Sequence, residues 1–457
     1  MQMKRAFAAV LVFTLLAGVL AGCSSGKSGA QSPAASDQSP AADQVLNVTF
    51  WHAMGGTNGK AIDTLVEKFN QTHSNIKVKA VFQGSYDDLF NKLKVAGNAG
   101  PSVIQVYDIG TRYMIDSKQI VPVQQFVDAD KFDLSDFEPN ILAYYTVDNK
   151  LYSMPFNTST PILYYNKTAF KDAGLDPEKP PATWDEVTAD AKALTKKDAS
   201  GKTRYGISLA VYGWFFEQFL AREGALYADN GNGRDARAAK AAFNSQEGVD
   251  FLTWWQSMVK EGIAGNYGRT TADTQKAFQA GTTAMFVDST AVLRAQIDGV
   301  AGKFDIGTAY LPYPKGKENG GVIIGGGSLW IMKARPDAEQ KAAWEFVKWL
   351  SQPEQQAFWS ISSGYFPIRK SAHQQPELVQ FVQKYPQFKT AVDQLHATTI
   401  NRATQGAVIG VFPQARQTIE GAIEQVLLNK ATPKEALDKA ADTVTKAIEN
   451  YNKTVAH

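Results

Sequence analysis

Apolar positions along this chain alternate between two spacings. Residues 45–50 predict a strand, and residues 60–70 follow with Ile62, Leu65, Val66 and Phe69 on one helical face. Residues 76–82 alternate again, residues 86–96 turn Leu89, Phe90 and Leu93 inward as a helix, and residues 103–107 form a short buried strand after Gly100-Pro101. A second series starts with a strand at 162–165 and a helix at 168–173. Gly174, Pro177, Pro180 and Pro181 then make a rigid loop before Thr183, which is placed to cap a helix over 184–194. Further strands are predicted at 206–209, 284–287, 304–311 and 328–332. The C-terminal region from residue 431 is helical, with Ala436, Leu437, Ala440, Val444 and Ala447 as one stripe. Strands alternating with helices predict an α/β fold with mostly parallel sheets. The ~410 residues after position 44 are too many for one ordinary core, so two lobes are expected.

The N-terminus departs from this pattern. Lys4 and Arg5 precede an apolar run over 6–20, too short for a comfortable membrane span and suited to a secretory leader. The run ends in Leu20-Ala21-Gly22-Cys23, which resembles a bacterial lipobox; an ordinary cleaved leader is the alternative. Cys23 is the single cysteine of the chain, so a structural disulfide is excluded and lipidation explains the thiol. Residues 1–23 are therefore read as a lipoprotein leader ending at its lipidated cysteine. Residues 24–44, rich in Ser, Ala, Gly, Pro, Gln and Asp, are read as a flexible tether spanning roughly 25 Å.

Composition narrows the function. Hydrophobic residues at 44% and charged residues at 20% fit a soluble globular protein, and a net charge of +2 offers no concentrated basic face for nucleic acid. Five histidines without H-x-x-x-H spacing, and one cysteine, predict no metal site. Gly325-Gly326-Gly327-Ser328 is not a nucleophile elbow, because Leu329 and Trp330 follow the serine. Gly55-Gly56-Thr57-Asn58-Gly59-Lys60 fails as a phosphate loop: its first glycine would fall at Met54, and Ala61 stands where Ser or Thr is needed. Paired carboxylates of a glycosidase are assembled by the fold, so a secreted hydrolase stays open as a remote alternative.

Polar and aromatic residues gather instead after predicted strands, where ligands of open α/β sheets bind. The stretches "WHAMGG", "QVYDIGT", "PFNTSTPILYYNKTAFKDAGLDPEKPPATW", "VIIGGGSLWIM", "GYFPI" and "PQAR" together resemble the extracellular solute-binding proteins of ABC importers, in particular their glycerol-3-phosphate and glycerophosphodiester-binding branch. The resemblance implies a two-lobe clamshell with crossings near 156–160, 304–311 and 364–368. Lobe 1 would take 45–155 plus 310–363, and lobe 2 would take 160–305 plus 368–457. It implies that Tyr86 and Asp108 hold glycerol hydroxyls, Asp108 standing where the branch usually has glutamate. It implies a phosphate cradle of Ser159, Ser289, Gly325, Gly326, Tyr365 and Arg416. Such a cradle is chemically coherent, since arginine's planar fork and closely approaching backbone suit an oxyanion. Trp214 matches the second tryptophan of a pair whose first is Val211 here.

Simpler roles stay open: Asp108 as the cap of a helix starting at Gly110, Trp214 as core, Tyr365 and Gly325 as hinge and turn residues, and Arg416 paired with Glu420. The implied function is capture of a small polyol phosphate outside the membrane and delivery to ABC permease subunits, by a non-enzyme that needs no cofactor. The implied protein is a monomer, anchored by lipid on the outer face of the cytoplasmic membrane or lodged in the periplasm. A sugar- or oligosaccharide-binding protein of the same importer class is the alternative.

Overall fold

The structure is a computed structural model that describes residues 45–197 and 199–455. The leader, Cys23 and tether expected at 1–44 lie outside the described residues. In chain order the strands are β1 (Leu46–His52), β2 (Ile76–Phe82), β3 (Val103–Tyr107), β4 (Ile120–Val121), β5 (Thr146–Val147), β6 (Lys150–Leu151) and β7 (Met154–Ser159). There follow β8 (Pro161–Asn166), β9 (Lys196–Lys197), β10 (Thr203–Ser208), β11 (Ala264–Gly265), β12 (Thr283–Ser289), β13 (Ile306–Ala309) and β14 (Gly325–Met332).

Two six-stranded sheets result. The first has the order β2-β1-β3-β14-β4 with β7 also on β14; the second has β11-β10-β12-β8-β13 with β9 on β10. β5 and β6 form a separate hairpin. Each sheet is flanked by helices, which is why all five residues of β3 and all six of β8 are buried. The helix Gly56–Thr72 buries Ile62, Leu65, Val66 and Phe69, the face expected from spacing. Thr183 caps Trp184–Leu194 in a reciprocal box, accepting from the Glu186 amide at 3.3 Å while Glu186 accepts from the Thr183 amide at 2.9 Å.

Three sequence expectations are corrected. The sheets are mixed rather than mostly parallel. β14 arrives from the other sheet and runs antiparallel to β3, β4 and β7, and β8 runs antiparallel to β12 and β13. β14 also begins three residues earlier than expected, because Gly325, Gly326 and Gly327 pair with Ser159, Thr158 and Asn157. In the C-terminal helix Pro433–Val455 the stripe continues through Ile448 instead of Ala447, since four residues past Val444 the side chain faces inward again.

The chain passes between the sheets at three places. β7 ends in the first sheet at Ser159, and β8 opens the second at Pro161, so Thr160 alone separates them. Residues 310–324 lead from β13 back to β14. The third passage leaves Phe366, whose amide donates to the Thr158 carbonyl at 3.0 Å, and reaches Gln394, which donates to the Pro161 carbonyl at 2.7 Å. Among the described residues no helix is long and apolar enough to cross a membrane, and no group of three His, Cys, Asp or Glu could hold a metal ion.

Candidate functional site

A cavity of about 650 Å³ opens where the passages between the sheets converge. Its walls include Tyr86, Asp108, Ser159, Trp214, Ser289, Gly326, Tyr365 and Arg416, eight of the nine candidates, drawn from segments far apart in sequence. Gly325, the ninth, lies just behind the wall: a Cβ there would come within 2.5 Å of the Trp214 ring, so the indole packs directly on its backbone. Trp214 is at once packed and part of the wall, and its Nε1 has no hydrogen-bond partner among the described residues.

Arg416 lies on the helix Phe412–Leu427 and is buried. Its Nε and Nη2 each donate to Glu217 at 2.8 Å in a two-pronged pair, Nη2 lies 3.6 Å from Asp108, and Nη1 lies 3.4 Å from the Tyr212 hydroxyl. The pairing with Glu420 weighed from sequence is replaced by one with Glu217 on the neighbouring helix Gly213–Arg222; Glu420 instead accepts from the Gly213 amide at 3.1 Å. Gly213 is required there, because a Cβ would stand 2.4 Å from the Arg416 Cγ. Burial opposes the arginine's charge, but Glu217, Tyr212 and Asp108 outweigh it and hold Arg416 above its ordinary range.

Asp108 opens a 3-10 turn (Asp108–Gly110) and makes no side-chain cap to the helix Thr111–Ser117 that follows. Its carboxylate faces Arg416 instead; burial raises its pKa, and the guanidinium partly offsets this. Tyr86 starts the helix Tyr86–Ala96, whose Ser85 cap forms a reciprocal box with Asp88. The Tyr86 ring stacks on Tyr107 at 5.4 Å, and its hydroxyl lies 2.7 Å from the Asn157 amide in either amide orientation. Tyr365 stacks on Trp359 at 5.5 Å. Burial holds both phenols, Tyr86 and Tyr365, above the usual range, so they enter the site as neutral hydroxyls. Ser159 ends β7, and Ser289 ends β12 with its Oγ accepting from the Ala291 amide at 3.1 Å.

The cavity also collects residues without a sequence signal, among them Arg269, Thr271, Gln275 and Asp288. Asp288 accepts from Gln275 at 2.9 Å and from the Ser289 amide at 2.7 Å, yet burial pushes its carboxyl up to about 7. A carboxyl raised on folding binds more protons in the native state, so its contribution falls as pH rises from about 4 to about 7. Asp288→Asn should therefore gain stability over the parent as pH rises through that window, by up to about 4 kcal/mol. Urea unfolding at pH 5 and pH 8 checks this; an equal difference at both values would contradict it. Glu217 was equally unmarked except that a lone acid sits in the apolar run "WFFEQFL". All ten residues of that helix are buried, so the acid needs a buried cation.

A larger cavity of about 740 Å³ lies elsewhere, walled by Pro139, Leu378, Val382 and Phe388, with a carboxylate–imidazole pair of Glu138 and His396 at 3.1 Å. None of the nine candidates lines it. The smaller cavity, with its buried cation and converging hydroxyls, is the better placed for a polar ligand.

The family described as bacterial extracellular solute-binding protein matches residues 64–390. The sn-glycerol-3-phosphate-binding periplasmic protein UgpB of Pectobacterium atrosepticum is 37% identical over 413 residues, covering 88% of this chain and 91% of that protein. Its counterpart in Salmonella typhimurium is 37% identical over 420 residues, covering 90% and 94%. Among solved structures, UgpB from Mycobacterium tuberculosis in complex with glycerophosphocholine superposes with a TM-score of 0.76 at 23% identity, over 89% of this chain and 99% of that one. The cyclic alpha-maltosyl-1,6-maltose binding protein of Arthrobacter globiformis superposes with a TM-score of 0.71 at 24% identity, over 89% and 99%. Both likenesses establish the two-lobe fold.

Proposed function

We propose, because the chain belongs to the bacterial extracellular solute-binding protein family, that it is the substrate-binding component of an ABC importer for glycerol-3-phosphate or glycerophosphodiesters. The observation that carries this reading is Arg416, a buried cation on the wall of a cavity that also presents Tyr86, Asp108, Ser159 and Ser289. Its nearest support is the pair of 37%-identical relatives named for sn-glycerol-3-phosphate. In this reading Tyr86 and Asp108 take glycerol hydroxyls. Ser159, Ser289, Tyr365, the backbone at Gly326 and Arg416 take the phosphate, and the Trp214 ring lies against the polyol or the second alcohol of a diester. Gly325 lets that ring settle against the strand.

In this reading one lobe takes 45–155 plus 310–363 and the other takes 160–305 plus 368–457. Ligand bridges them and shifts the population toward a closed form that the permease recognises. A micromolar dissociation constant corresponds to about 8 kcal/mol, within reach of a few charge-assisted hydrogen bonds and one stacked ring. The ligand leaves unaltered. The chain acts as a monomer outside the cytoplasmic membrane, held by lipid on Cys23.

The rival is a sugar receptor, favoured by the carboxylates Asp87, Asp108 and Asp288 on the cavity wall. A thermal-shift screen separates the two, because a ligand bound only by the folded state raises apparent stability. Glycerol-3-phosphate or a glycerophosphodiester at 100 times its dissociation constant should add about 2.7 kcal/mol. A response to maltose-type sugars and none to the phosphates would reverse the assignment.

A further inference from the structure

Resting on the phosphate reading, we propose that Glu217 is the positioning residue for Arg416 and takes up a proton from solvent when a phosphate group enters the cavity. The geometry is a buried row of three charges: Glu217 accepts two bonds of 2.8 Å from the guanidinium Nε and Nη2, and Asp108 lies 3.6 Å from the same Nη2. Two carboxylates already outnumber one cation. Glu420 accepts from Gly213 on the same helix pair and reaches Arg269 at 3.4 Å, and Asp288 lines the same cavity. The other titratable groups that face Glu217 are the neutral phenols Tyr144, Tyr212 and Tyr227. Arg416 is thus a saturated cation. A phosphate cannot be added to this row at full charge without leaving a buried excess of negative charge.

Neutralising Glu217 resolves the conflict. The proton adds to one carboxylate oxygen, the other still accepts from the guanidinium, and the Arg416 cation is then balanced by the phosphate in place of Glu217. Burial already pushes Glu217 to about 7, so little work separates its two forms near neutrality. Since the complex then binds more protons than the free protein, affinity must fall as pH rises above 7.

The test is calorimetry on the folded protein with glycerol-3-phosphate and with a glycerophosphodiester, in two buffers of different ionisation enthalpy. The diester is decisive, because its phosphate has no second proton to gain and any uptake belongs to the protein. Uptake of about half a proton is expected at pH 7, rising toward one at pH 8.5, with affinity for the diester about tenfold weaker at pH 8.5 than at pH 7. Glu217→Gln should still bind the diester, without uptake and with a flat pH profile. Infrared difference spectra of the unmodified protein supply a reading that does not depend on the variant folding: ligand should produce a protonated-carboxyl band. No uptake with the diester, or uptake that persists in Glu217→Gln, overturns the proposal while leaving phosphate binding intact. Heat from a sugar and none from either phosphate overturns the underlying functional reading instead.

Discussion

Arg416→Ala should weaken glycerol-3-phosphate binding about thirtyfold or more and destabilise the fold by about 3–5 kcal/mol near pH 8. Both effects have one cause. The guanidinium satisfies Glu217 through two 2.8 Å bonds and stands 3.6 Å from Asp108, and all three side chains are buried. Removing it strands two carboxylates, whose isolated burial costs more than the pair contributed. The two consequences can be separated. In a Glu217→Gln background the same replacement should cost distinctly less stability, since one stranded charge is gone, whereas the loss of affinity should remain. Urea unfolding and calorimetry on the four proteins of the cycle measure both quantities. If Arg416→Ala bound the phosphate undiminished, Arg416 would have no part in the anion site.

Gly326→Ala should destabilise by more than ~3 kcal/mol and abolish ligand binding. Gly326 has φ of 103°, a conformation other residues avoid, and a Cβ there would stand 1.8 Å from the Asn157 carbonyl oxygen. That oxygen is backbone in the paired strand β7 and cannot rotate aside. Relief requires parting β7 from β14 beside the bulge between Gly327 and Ser328, which would displace Ser159 as well. Gly325→Ala makes the control. Its Cβ would meet the Trp214 ring at 2.5 Å, a side chain that can tilt, so the fold should lose less while the cavity wall changes shape. Thermal unfolding of the two variants tests the contrast, and equal losses would refute it.

How much of this was legible in sequence depends on the range of the interaction. Local signals were sound: the face of Gly56–Thr72, the cap at Thr183 and the buried strand β3 follow from spacing and capping alone. Strand direction was not, because whether β14 runs with or against β3 is decided by where the chain comes from, and no local pattern encodes the passage between the sheets. The site divides in the same way. Eight of nine residues taken from the family resemblance reach one cavity, since motifs fix positions. Their partners were missed. Glu217 lies 199 positions from Arg416, and only its isolation in an apolar run hinted that it needed a cation. Asp288 carries no local mark in the sequence, and its raised pKa comes from burial that the fold alone creates.

With Thr160 alone between β7 and β8, Ser159 on the cavity wall stands beside one of the three passages about which a rotation between the sheets would turn. Points near an axis travel little while distant ones sweep far. An anion resting there would keep its footing throughout a swing, and the work of recognising it would fall to groups at the ends of the levers. Grip strength and travel could then be tuned at different addresses in the sequence, the one near the axle and the other at the rim.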